Sequence, residues 1–390
     1  MFVNGEMLVL CAGIACFMQG EMTCFMRGEV VSYEVQKDLK HGRIRQMSTG
    51  RQVSKGKVAA GAAAALAGAG FVTYLYKEYK KNFLVRGAEP TGFLEFYQKR
   101  HPEMEMPEFS CPSVKKGVNL KGLILLPKEE PQALIVMTHG YNFTIENYLP
   151  LGRRFTKAGF AVLLFDGIGC GMSEGRYIYG VPQHAIDMKS VLDYVAKDPK
   201  LSSLPLLLFG HSWAGHAAAA VPCLGSYPIR GIITCSAPRT PVSAMNMSIR
   251  RNYGKMAPLV ERISDAMVYS VYGEKAFLRT EEGLRRASCP AQIYHSRDDK
   301  LVDYKECFLD LQEALADCPQ IIFVGVDGRG HDVYLVPENS HRQREIRKLL
   351  KTEEDEARKQ ELTQELWQLM CKTDEELAIR FIEFYKECLR

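Results

Sequence analysis

A serine, a histidine and a carboxylate can together break an ester, the histidine taking the hydroxyl proton and the carboxylate orienting the imidazole. Ser212 is the serine best placed for this. It lies in Pro-Leu-Leu-Leu-Phe-Gly-His-Ser-Trp-Ala-Gly-His-Ala-Ala-Ala-Ala (205–220), between an unbroken apolar run and a stretch of small helix formers. Such a run suits a strand buried on both faces, and the alanines suit a helix packed closely on a sheet. A sharp turn between the two lifts the hydroxyl above the strand end, and it needs small residues about two before and two after the serine. Gly210 and Ala214 hold those places. A buried serine opening a helix would satisfy the same short pattern, so the other groups have to be found.

Nine histidines are available for the base. His331, in Val-Asp-Gly-Arg-Gly-His-Asp-Val, follows the last strand expected in the sheet and sits in a glycine-rich loop able to present it over the strand ends. His295 ends a strand, His139 starts a loop, and His211 and His216 flank the serine turn. For the acid, Asp298 and Asp299 stand just past another strand, in Tyr-His-Ser-Arg-Asp-Asp-Lys-Leu-Val. Asp299, one place before Lys-Leu-Val, is preferred, and Asp298 is read as a cap for the turn or the next helix. The negative charge that develops on a carbonyl oxygen needs preorganised donors. The turn Thr138-His-Gly-Tyr-Asn142 and the residue after the serine offer the backbone N–H groups of Tyr141 and Trp213.

These loops need a frame. Short apolar runs alternate with helical periods from about Leu120, which predicts a mostly parallel sheet covered by helices. Strands are expected at 122–126, 133–138, 160–165, 204–209, 231–235, 291–295 and 320–324, and helices at 147–158, 184–196, 212–221 and 304–316. An amphipathic helix over 374–389 should cover the sheet. Residues 239–288 interrupt the alternation with methionines and aromatics at partly helical spacing, read as a lid over a pocket, with plain packing as the alternative. Residues 338–372 mix both charge signs around a sparse apolar stripe, which predicts a solvated surface helix or hairpin.

Taken together, His139-Gly140, the run Phe165-Asp166-Gly-Ile-Gly-Cys-Gly-Met-Ser173-Glu-Gly175, Gly-His-Ser212-Trp-Ala, Asp299 and Gly330-His331 resemble the ordered motifs of the α/β-hydrolase superfamily. Within it the chain looks most like bacterial serine hydrolases of the lipase, esterase and serine-aminopeptidase-like branch. The likeness covers roughly 120–336 and the final helix, and the chain order Ser, Asp, His is that family's. It implies an α/β fold with a mostly parallel eight-stranded sheet, helices on both faces and a helical lid insertion, with core segments 120–238 and 289–390. It further implies a serine hydrolase that cleaves carboxylic esters, thioesters or amides through an acyl-enzyme. An acyltransferase using the same triad is the alternative, followed by a non-catalytic, membrane-tethered protein of this fold. Three positions depart from the pattern: Ala214 replaces the elbow's final glycine, Cys170 a common histidine, and Ser296 the glycine that usually precedes the acid.

Composition adds boundaries. The 390 residues carry a formal charge of only +4, not gathered into a stripe, which gives nucleic-acid binding no electrostatic support. Twelve cysteines lie scattered with no CxxC pair, so no metal site is expected and they read as buried thiols of a reducing, cytoplasmic setting. No cofactor is expected either, since there is no HExxH, GxGxxG or lysine-bearing phosphate loop. The expected substrate is a small ester or lipid-like molecule. Residues 1–57 form a basic, irregular start in which Met47 looks like the natural first residue. Residues 58–76 carry no charge and sit between basic flanks, with Phe71, Tyr74 and Tyr76 at one end. That pattern predicts a membrane anchor or signal-anchor and a membrane-associated protein, although eight alanines and three glycines keep the run weakly hydrophobic. Residues 77–119 are read as a linker with a leading helix.

Overall fold

The computed structural model describes the chain fully from Leu66 onward. Before that it gives the backbone of three short strands (Glu21–Met26, Glu29–Glu34 and Gln46–Met47) and the start of helix α1 (Lys55–Phe83). The start expected at Met47 concerns residues mostly outside the described ones. The chain divides into two compact units, Met1–Lys81 and Asn82–Arg390.

The second unit is built on eight strands: β1 (Glu108–Pro112), β2 (Asn119–Leu125), β3 (Leu134–Met137), β4 (Ala161–Phe165), β5 (Leu206–His211), β6 (Ile229–Cys235), β7 (Ala291–Ser296) and β8 (Ile321–Val326). Their order across the sheet is β1-β2-β4-β3-β5-β6-β7-β8. From β4 to β8 all neighbours are parallel, while β2 runs antiparallel to β4 and β1 antiparallel to β2. Strands β3, β4 and β5 are buried along their whole length, as their uninterrupted Leu, Ile, Val and Phe require of a sheet covered on both faces. The seven expected strands are present with shifted ends. The eighth strand that the resemblance implies is β1, which had no expected position: only Phe109 and Cys111 of its five residues face inward, and Pro112 closes it, as an edge strand allows.

One face is covered by α2 (Phe93–Arg100), α3 (Leu149–Lys157), α10 (Pro337–Leu349), α11 (Glu356–Met370) and α12 (Glu375–Glu387), whose Phe93, Phe155, Ile346, Leu366 and Phe381 join one core cluster. The other is covered by α4 (Gln183–Val195), α5 (Trp213–Ala220), α8 (Thr280–Ala287) and the π-turn Lys305–Leu309 leading into α9 (Asp310–Ala314). The Tyr385 hydroxyl of α12 donates to the Leu208 carbonyl of β5 at 2.7 Å, so the final helix does lie on the sheet. The hairpin expected over 338–372 exists as α10 and α11 but is not merely a solvated surface. Of its sparse stripe, Ile346, Leu362 and Leu366 are buried in the core cluster and Leu350 packs against it, whereas Leu349 is exposed. Few apolar residues suffice when a helix covers only a corner of a sheet. Residues 239–288 fold into α6 (Ser243–Tyr253), α7 (Ala257–Tyr272) and α8.

The anchor expected at 58–76 finds no support. Among the described residues no helix is long and apolar enough to cross a membrane, and the side chains of 58–65 lie outside those described. The uncharged run is one stretch of α1, which continues through Lys77, Glu78, Lys80 and Lys81. Its small residues give it little apolar surface to bury.

Candidate active site

The turn between β5 and α5 holds Ser212 at φ 56°, ψ −121°, a region that side chains other than glycine rarely enter. Strain of this kind costs about 1–3 kcal/mol and persists only where the surroundings impose it. Here the Ser212 N–H donates to Cys235 O at 2.8 Å, and a Cβ on Gly210 would lie 2.2 Å from Ala214 O. The small residue before the serine is therefore a packing requirement. Ala214 is fully buried. We expect Ala214→Gly to keep the fold and Ala214→Leu to lose at least about 2 kcal/mol of stability, measured by urea unfolding.

The Ser212 hydroxyl meets His331 Nε2 at 2.8 Å, and His331 Nδ1 meets Asp299 Oδ2 at 2.8 Å. With the hydroxyl donating to Nε2, Nδ1–H donates to the carboxylate, the tautomer a general base requires. The loop after β7 fixes Asp299 by aiming the Leu301 and Val302 N–H groups at Oδ1, at 2.8 and 3.0 Å. Burial acts to raise the Asp299 pKa, but hydrogen bonds from His295 and His331 outweigh it and hold the carboxyl well below the usual range. His295, fully buried, places Nε2 3.4 Å from Asp299 Oδ2 and 3.1 Å from Val302 O.

Asp298 is a cap, as expected. Its Oδ1 accepts from the Ser296 hydroxyl at 2.5 Å and from the Gly330 N–H at 3.3 Å, and Ser296 Oγ accepts the Arg329 N–H at 3.1 Å. The serine standing where the family has glycine thus ties the acid's loop to the base's loop.

Of the oxyanion candidates, Trp213 opens α5, so its N–H has no carbonyl one turn back to bind. Tyr141 lies in the loop after β3, with its ring 5.8 Å from that of Trp213. Its neighbour Gly140 gives its own N–H to the Tyr148 hydroxyl at 3.0 Å. Tyr148 in turn meets His211 Nδ1 at 3.0 Å, and His211 Nε2 meets His331 O at 3.0 Å. One hydrogen-bonded chain thereby runs from the loop after β3, past the strand end before Ser212, to the loop that carries His331. Burial pushes the His211 pKa down to about 4, so the ring is neutral near pH 7 and donates one proton and accepts another. His139, His184 and His216 make structural contacts. His139 Nδ1 binds Gly140 O at 2.9 Å, with Nε2 accepting the Gly167 N–H at 3.0 Å. His184 stacks on Trp213 at 4.0 Å, and His216 Nε2 binds Leu278 O at 3.0 Å. Asp166 joins two loops, its carboxylate accepting the Ile145 and Met172 N–H groups at 2.9 Å each. Nothing in the sequence flagged Tyr148 or the second role of His211, because both act across distant loops.

The strand order and the elbow are those of the α/β-hydrolase fold. Residues 129–276 match the family described as serine aminopeptidase, S33. The chain is 28% identical over 101 residues to the monoacylglycerol lipase of Mycolicibacterium smegmatis, which is 25% of this chain and 35% of that protein. The match thus spans about a third of that relative's length. Solved structures similar to the chain include the esterase Pf2001 of Pyrococcus furiosus, at 18% identity and TM-score 0.47 over 60% of this chain and 86% of that one. A thermostable carboxyl esterase from Bacillus coagulans matches at 18% identity and TM-score 0.47 over 74% and 100%. Among the described residues no cluster of His, Cys, Asp and Glu could hold a metal ion, and nine cysteines are free.

Proposed function

We propose that the chain hydrolyses carboxylic esters through an acyl-enzyme on Ser212. The observation that carries this reading is the unbroken chain Ser212 Oγ, His331 Nε2, His331 Nδ1, Asp299 Oδ2, with both hydrogen bonds at 2.8 Å and the serine on a strained elbow. The hydroxyl attacks the ester carbonyl while His331 Nε2 takes its proton. The oxygen that becomes negative is met by the N–H groups of Tyr141 and Trp213. As the tetrahedral intermediate collapses, the C–O bond to the alcohol breaks and His331 returns the proton to the leaving oxygen. Water then repeats the sequence on the acyl-serine, releasing the acid and restoring the hydroxyl. Asp299 stays ionised throughout and stabilises the imidazolium.

Helices α6 and α7 serve as a lid. Met247 of α6 accepts the Asp303 N–H beside the acid loop at 2.9 Å, and Leu278 is held by His216 of α5. This cover joins elements flanking two of the three reacting groups, and its methionines and aromatics suit an apolar ester. The monoacylglycerol lipase among the relatives makes a glycerol ester of a fatty acid the first substrate to try. An alkyl fluorophosphonate should label the native protein once, with the adduct on the Ser212 peptide by mass spectrometry. Labelling elsewhere, or none, would overturn the proposal.

A further inference from the structure

Residues 82–92, the last two residues of α1 and the segment that follows it, lie as a strap along the loop that follows β4, outside the residues 129–276 matched to the family model. Three backbone hydrogen bonds fasten it: Gly87 N to Gly169 O at 2.8 Å, Gly171 N to Ala88 O at 2.8 Å and Ile178 N to Val85 O at 3.0 Å. The Arg86 guanidinium adds bonds to the carbonyls of Gly171, Gly175 and Ser173 at 2.8, 2.9 and 3.2 Å. The approach is close, since a Cβ on Gly87 would stand 2.5 Å from Cys170 Sγ and 2.8 Å from Ile178 Cγ2. Cys170 here stands where the family commonly carries histidine, and a ring in that place would collide with the strap. The pair Gly87 and Cys170 is what lets the strap pass.

The strap delivers Phe83 to a small apolar cluster of Cys170, Ile178, Trp213 and Tyr141. The Phe83 and Tyr141 rings are 5.9 Å apart, and the Tyr141 hydroxyl donates to Asn82 O at 2.8 Å. Two members of this cluster are the residues whose N–H groups would hold the carbonyl oxygen, so Phe83 packs in the same apolar cluster as their side chains. None of the cluster comes from the His331 loop. His331 protonates the leaving oxygen, which places the alcohol on its side of the carbonyl and the acyl group on the other.

We propose that the strap is the far wall of the acyl site and that Phe83 sets the longest acyl chain accepted. This rests on the serine-esterase reading above. Each methylene newly admitted to an apolar pocket is worth about fourfold in kcat/KM, so removing the ring should admit two or more carbons for about tenfold or more. The test compares kcat/KM for p-nitrophenyl acetate, butyrate, octanoate and laurate, and for a series of alkyl acetates of rising alcohol length, in wild type, Phe83→Ala and Arg86→Ala. The octanoate-to-butyrate ratio should rise about tenfold in Phe83→Ala and move the same way in Arg86→Ala, which loosens the strap without altering its wall. The alcohol series should keep its profile, and fluorophosphonate labelling reports that each variant is folded. An unchanged acyl profile in a labelled, active Phe83→Ala, or a shift confined to the alcohol series, overturns the assignment of the strap alone. Absence of ester turnover in wild type overturns the serine-esterase reading and this inference with it.

Discussion

Ser212→Ala should lower kcat/KM for p-nitrophenyl butyrate by at least about 10⁴-fold and abolish fluorophosphonate labelling, while leaving KM close to its wild-type value. In the resting protein the hydroxyl meets His331 Nε2 at 2.8 Å, and its loss removes the nucleophile and little else. The residue is partly exposed, and alanine also relieves none of the backbone strain at φ 56°, because its Cβ remains. Stability should therefore change by less than about 1 kcal/mol by urea unfolding, which separates a chemical loss from a folding one. Residual turnover above a hundredth of wild type would remove Ser212 from the mechanism.

Asp299→Asn is the second large effect, expected at about 10⁴-fold in kcat. An amide at this place can donate to His331 Nδ1, which would turn the imidazole to the tautomer with a proton on Nε2, unable to accept from Ser212. The same substitution carries a pH signature. The Asp299 carboxyl titrates below its unfolded value of about 4 in the folded protein, so its ionised form stabilises the fold above that pH. The stabilisation is lost as pH falls from about 4 through the lower folded pKa. Wild type should consequently lose more stability between pH 5 and pH 2 than Asp299→Asn, by urea unfolding at each pH. Equal losses would mean that the carboxylate is not held by His295 and His331 as the geometry implies.

The parts of the fold that could be read from the chain are those where one force dominates. Leu206 to Phe209 can only be a doubly buried strand, and the alanines from Ala217 to Ala220 can only pack where a large side chain would not fit. Ser212, Asp299 and His331 were singled out because each follows a short apolar run, whether that run becomes a central strand, as before Ser212, or the edge strand, as before His331. The edge strand β1 was not, since an outer strand buries one residue in two and Pro112 masks what remains. Helices α10 and α11 were misjudged because charge dominates their composition, although a few residues on one stripe decide what they cover. The strap at 82–92 carries no periodicity at all. What it does depends on Gly87 meeting Cys170 across 83 positions, and only Cys170 stood out beforehand, as an unexplained substitution.

The three reacting groups are not equally rooted. Ser212 rises from β5, deep in the middle of the sheet, whereas Asp299 and His331 hang from β7 and β8, the last two strands at one border, and β8 has a single ladder partner. The Ser296, Asp298 and Arg329 link fastens these two loops to each other, with the border strands beneath them. Fraying of that margin would carry base and acid away together and leave the nucleophile's cradle standing. Heat or denaturant therefore has a shorter route to silence this molecule than to melt it, and the hydroxyl of Ser212 would persist as an intact but unassisted alcohol.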